Sequence, residues 1–168
     1  MGASDAFLLM PEDVKLWFDE RASYLGWPPQ GLRWRGVLRD HSVDYWARLR
    51  WEKRSVDLQQ ARFTEPTEHI LEDLAAALIG GVQNWYASLD TSDKIPEIGQ
   101  YIQEHHRLPG LLIFLEQDGV LDLVDGAHRL TVYRAVKSLP VPSDWLCDEC
   151  EAWVGSLSSE ISHGQSQA

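Results

Sequence analysis

The chain has 168 residues, 44% hydrophobic and 24% charged, which suits one domain with a core of its own and needs neither a disulfide nor a metal to fold. A formal net charge of −11 excludes the uniformly basic footprint of proteins that slide along DNA. No apolar run reaches the eighteen or so residues of a membrane span, and Glu12 and Asp13 follow the apolar patch at 6–10, so no signal peptide is read there. A cytoplasmic protein with no membrane partner is expected.

In chain order, residues 11–25 read as a helix. Pro11 suits its first turn, the acids suit its positive end, and Val14, Trp17, Phe18, Ala22 and Leu25 form an apolar stripe. A turn-rich break at 26–31 precedes two alternating segments, 32–39 and 45–51, both expected as strands. Eight of the fifteen Lys and Arg residues lie between Gly31 and Arg62, against four acids. If the two strands pair, Arg33, Arg35, Arg48 and Arg50 line one face, either as a solvated sheet surface or as a DNA-contacting sector. Trp34, Trp46 and Trp51 interleave with these arginines, a pattern that also suits stacking against bases.

A third strand is expected over 55–63, then a helix capped by Thr67 and ended by Gly80-Gly81, with Ile70, Leu71, Leu74, Ala77 and Leu78 inward. A short helix over 82–89 and a helix opened by Pro96 come next, the latter carrying Ile98, Tyr101 and Ile102 inward and His105 and His106 at its end. The clearest stretch follows. An apolar strand at 111–115 turns at Asp118-Gly119, a pair that accepts positive φ, into a return strand at 120–124. Asp125-Gly126 turns the chain into a helix over 127–137 that Pro140 and Pro142 stop. A short strand at 152–154 and a frayed tail at 156–168 complete the reading.

A strand that turns directly into a helix through glycine makes an anion site. The first-turn N–H groups lack intrahelical acceptors, the dipole favours negative charge, and glycine allows close backbone approach. Here that turn is Asp125-Gly126-Ala127-His128-Arg129. Arg129 offers a planar fork for phosphate oxygens and His128 a further donor. Asp125 suits capping the helix, orienting His128 or Arg129, or holding Mg²⁺. The same residues also fit an ordinary helix start with a surface His and Arg.

The order of elements from 96 to 135 around Leu123-Val124-Asp125-Gly126-Ala127-His128-Arg129-Leu130 resembles the ParB/sulfiredoxin-like superfamily, over roughly residues 55–154. The resemblance implies an α/β (α+β) fold that holds nucleotide phosphates on this turn, with Asp125, Gly126, Ala127, His128 and Arg129 as binding positions and ATP, or a related nucleotide with Mg²⁺, as ligand. Sulfiredoxins carry a reactive cysteine where Ala127 stands, so sulfinic acid reduction is not expected. Partition proteins of the superfamily carry a Gly-Glu-Arg-Arg type motif, and here His128 interrupts it. Members that phosphorylate free serine begin the first helix with Pro-x-Glu, which Pro66-Thr67-Glu68 matches, so Glu68 and His128 are the expected catalytic residues.

The expected organisation is an N-terminal extension over 1–54, the nucleotide-binding domain over 55–155 and the tail. The leading functional expectation is a nucleotide-binding phosphohydrolase, an ATPase with possible nuclease action. A phosphotransferase to a small hydroxyl acceptor and a non-catalytic inhibitor or interaction protein are the alternatives. Cys147 and Cys150 form one C-x-x-C with no second pair of ligands, so two ordinary cysteines and no metal site are expected.

Overall fold

The computed structural model describes residues 41–80 and 91–157, and the helical backbone at Glu12 and Leu16. The expected strand at 32–39, the short helix at 82–89 and the tail beyond 157 lie outside these residues. Helix α1 (Val43–Arg48) leads into β1 (Leu49–Asp57), and β2 (Arg62–Phe63) precedes α2 (Glu65–Gly80). Helix α3 (Thr91–His105), the hairpin β3 (Leu112–Gln117) and β4 (Val120–Asp125), α4 (Ala127–Lys137) and β5 (Glu149–Leu157) follow. The fold class is α/β, with one mixed sheet in the order β1-β5-β3-β4-β2.

β3 lies in the middle because it is apolar on both faces. Leu112, Ile113, Phe114 and Leu115 are all buried, which an edge strand or a strand with one wet face would not allow. It pairs parallel with β5 and antiparallel with β4. On one face, Phe114, Leu121, Leu123, Ala152 and Val154 join Leu71 of α2, Ile102 of α3 and Leu130 of α4 in the main core. Helices α2 and α3 both pack on α4, so the motif-bearing helix is the middle of its layer. Ile113 and Leu115, together with Trp46 and Leu49, are buried outside that cluster.

Local signals explain where the elements depart from the sequence expectations. The expected strand at 45–51 is a helix through Arg48, because Ser42 Oγ accepts the Tyr45 N–H at 3.2 Å and caps it. The strand begins only at Leu49 and runs through residues 54 and 55, pairing along its whole length with β5. The expected strand at 55–63 is broken after Asp57, whose Oδ1 accepts the N–H groups of Gln59 and Gln60 and folds an Asx-type turn. Ala61 N–H closes that turn on Asp57 O at 2.9 Å. In a flat sheet the edge strands β1 and β2 would lie about 19 Å apart, four strand spacings. Only residues 58–61 separate them, so the sheet curls and its two edges approach at this corner.

Thr64, not Thr67, caps α2: its Oγ1 accepts the Thr67 N–H at 3.4 Å, and its carbonyl takes the Glu68 N–H. Thr67 is instead buried, because its hydroxyl accepts the Leu123 N–H and donates to Asp122. Pro96 lies inside α3 rather than at its start, at the cost of one i→i−4 bond. His106 ends that helix at φ 56°, with its N–H on Ile102 O. The hairpin turns at Asp118 (φ 53°) and Gly119 (φ 74°), as the Asp-Gly pair requires, and α4 has the expected bounds. The last strand runs well beyond 152–154, since β1 supplies a pairing partner for every residue from Glu149 to Leu157.

Candidate phosphate-binding turn

β4 ends at Asp125, and Gly126 carries the chain into α4 at φ 109° and ψ 19°. That conformation strains any residue with a Cβ, and a Cβ here would also collide with Leu112 Cδ2. Gly126, the N-cap residue, brings no side chain of its own to the helix start, and the bond there is Leu130 N–H to Gly126 O at 2.9 Å. Leu130 and Thr131 are almost fully buried, and Thr131 Oγ1 donates to Ala127 O. These two anchors hold the first turn in place. His128 is partly buried on this turn, with its Nε2 shielded from solvent.

Arg129 does not present its fork to solvent. One guanidinium nitrogen donates to Asp125 Oδ2 at 2.8 Å. The other donates to Leu111 O at 2.6 Å and to Pro109 O at 3.3 Å. The side chain keeps 19% exposure, and Asp125 keeps 25%. Asp125 thus orients Arg129 and braces the turn, one of the roles its sequence position allowed.

Glu68 lies elsewhere. Both of its carboxylate oxygens engage Arg134 in the last turn of α4, at 2.5 and 2.8 Å. Arg134 is five or six residues beyond the turn, about 8 Å along the helix axis. The Arg134 hydrogen bond holds the Glu68 carboxyl below its ordinary range despite some burial. A carboxylate held ionised in this way is a weak proton acceptor at neutral pH. The structure therefore brings Asp125, Gly126, Ala127, His128 and Arg129 together and places Glu68 with a different partner.

Two polar junctions escaped the sequence reading. Asp122 Oδ1 accepts from Thr64 Oγ1 at 2.6 Å and Thr67 Oγ1 at 2.9 Å, tying the start of α2 to β4. Burial, with Asp122's charge added, raises the Tyr45 phenol pKa. The one clue was an acid between Leu121 and Leu123 in an otherwise apolar strand. Asp148 Oδ1 accepts from Tyr133 Oη at 2.5 Å and lies 2.6 Å from Lys137 Nζ, fastening α4 to the segment before β5. Cys150, next to it, is buried and its thiol is pushed up to about 12 by that burial, so it carries no thiolate at neutral pH. Cys147 is exposed, both thiols are free, and no metal-holding cluster occurs among the described residues.

A cleft of about 370 Å³ opens at the curled corner of the sheet, with Arg54, Asp57, Arg62 and Glu116 around a floor of Val56 and Leu121. It lies at the start of β4, about 20 Å along that strand from Gly126, and its Arg54 and Glu116 pair at 2.5 Å. Of the expected DNA-contacting arginines, Arg33 and Arg35 lie outside the described residues. Arg48 ends α1 and Arg50 is the second residue of β1, so the two do not share a strand face as expected. No helix among the described residues is long and apolar enough to cross a membrane. The chain matches no family model, no curated protein and no solved structure.

Proposed function

We propose that this protein binds a nucleotide through its phosphates at the 126–129 turn. The observation that carries the reading is the strand-to-helix turn at Gly126, whose positive φ brings the chain straight into the positive end of the α4 dipole, where an anion is favoured. The anchored Leu130 and Thr131 hold that turn in place before ligand arrives, which lowers the ordering cost of binding. His128 lies on the same turn, partly buried. Mg²⁺ would arrive on the nucleotide, since Asp125 is already engaged by Arg129.

Titration with ATP, ADP, GTP and CTP, with and without Mg²⁺, tests the proposal while amide resonances are followed. Saturable shifts confined to Ala127, His128 and Arg129, competed by pyrophosphate, are the expected result. Shifts elsewhere, or none, would overturn it and leave the interaction-protein alternative ahead. Phosphate release in the same samples tests hydrolysis, the second part of the reading. Any turnover is expected to be independent of Glu68, because Arg134 occupies both of its oxygens.

A further inference from the structure

The guanidinium of Arg129 lies between two glycines that both hold positive φ, Gly110 at 64° and Gly126 at 109°. A Cβ on Gly110 would come within 3.0 Å of one guanidinium nitrogen, and a Cβ on Gly126 within 3.2 Å of the other. Both flanking backbones therefore need the absence of a side chain to let the cation through. Its donors end on three oxygens of two separate chain segments beside those glycines: the carbonyls of Pro109 and Leu111, and the carboxylate of Asp125.

From this threading we infer that Arg129 is a positioning residue, which clamps the 109–111 segment onto the 125–126 turn, and is not the cation that meets phosphate. The inference rests on the phosphate reading of the turn and deepens it. Ligand contact then falls to the backbone of the turn, while Arg129 fixes how that backbone is held. Only a planar group with donors on two sides spans these three acceptors, so Lys cannot replace it. Leu112, which follows the clamped segment at once, is fully buried and stands against Gly126, so loosening the clamp loosens the floor of the turn.

The clamp and a direct phosphate contact predict opposite signs for one substitution. Asp125→Asn removes a negative charge beside the ligand and weakens one arm of Arg129, whose bond to this residue is no longer charge-assisted. If Arg129 clamps, nucleotide affinity falls severalfold. If Arg129 meets phosphate, affinity rises, because repulsion is relieved and the cation is held less tightly. Arg129→Lys should lose about tenfold, the scale of one charge-assisted bond, whereas a simple phosphate cation would keep most of its affinity as Lys. Hydrogen exchange without ligand supplies a second readout: the peptide covering 108–113 should exchange faster in Asp125→Asn and Arg129→Lys than in the parent. A rise in affinity for Asp125→Asn, or unchanged exchange in that peptide, overturns the clamp. If the parent binds no nucleotide, the proposed function fails, and the exchange readout alone still decides whether Arg129 clamps.

Discussion

Helix α4 carries two arginine–carboxylate pairs, one at each end, and they differ in everything but chemistry. Arg134 and Glu68 make the better fork, with two hydrogen bonds between the same two groups. Both side chains are more than a third exposed, at 37% and 38%, so water and salt screen the attraction. Arg129 and Asp125 share a single hydrogen bond, yet they are about half as exposed and the guanidinium also satisfies two backbone carbonyls. A textual count of ion pairs would rank the first above the second. Burial, and the carbonyls that would be stranded without the cation, reverse that order.

The largest expected effect breaks the buried end at its backbone. Gly126→Ala forces a Cβ into Leu112 and a side chain onto φ 109°, so it should cost about 3 kcal/mol from strain and overpacking together. Thermal unfolding should show a fall in Tm of roughly 6–12 °C for a chain of this size. A loss under about 1 kcal/mol would mean that the turn relaxes freely.

Arg129→Ala comes next, at about 2 kcal/mol, since it strands the Leu111 carbonyl and leaves Asp125 without its cation. Arg134→Ala should cost under about 1 kcal/mol when urea unfolding of the two variants is compared, because its pair is screened. Equal losses for the two would erase the distinction between the ends of the helix.

A pH series sharpens the comparison with the third carboxylate that touches α4. Lys137, then Tyr133, hold the Asp148 carboxyl below its ordinary value of 3.8. A folded pKa below the unfolded one contributes stability above the unfolded value and loses it as pH falls through the folded value. Asp148→Asn should therefore destabilise the protein at neutral pH by about 1 kcal/mol, and the deficit should shrink below about pH 4. A deficit that stays constant from pH 7 to pH 3 would show that the lost charge is not its cause.

The smallest effect expected is that of Glu68→Gln. Glu68 carries the same sign of pH linkage as Asp148, but its exposure screens the contribution. The variant should lose well under about 1 kcal/mol of stability and keep the parent's nucleotide affinity and any phosphate release. A hundredfold drop in phosphate release would return Glu68 to the catalytic role that Pro66-Thr67-Glu68 suggested from sequence.

The hairpin, the glycine turn and α4 were legible in the sequence because each is set by residues adjacent in the chain. Asp118-Gly119 selects its turn through positive φ, and Gly126 opens the helix through the same freedom. The apolar run of β3 announced burial on both faces. Misreadings arose where short-range and long-range signals compete. Alternation at 45–51 imitates a strand until Ser42 supplies a cap, and the 55–63 segment looks continuous until Asp57 gathers two amides.

What the sequence determined by itself was the local conformation of the 125–129 turn, since Gly alone tolerates that φ and the residues beyond it favour a helix. Only the tertiary structure decided what those side chains touch. Arg129 turns inward because the 109–111 segment, some twenty residues earlier, places two carbonyls beside it. Glu68 leaves the turn because α2 packs on α4 in a register that offers it Arg134, 66 residues away. Side-chain roles of this kind depend on packing between elements distant in the chain, and no spacing within one element encodes them.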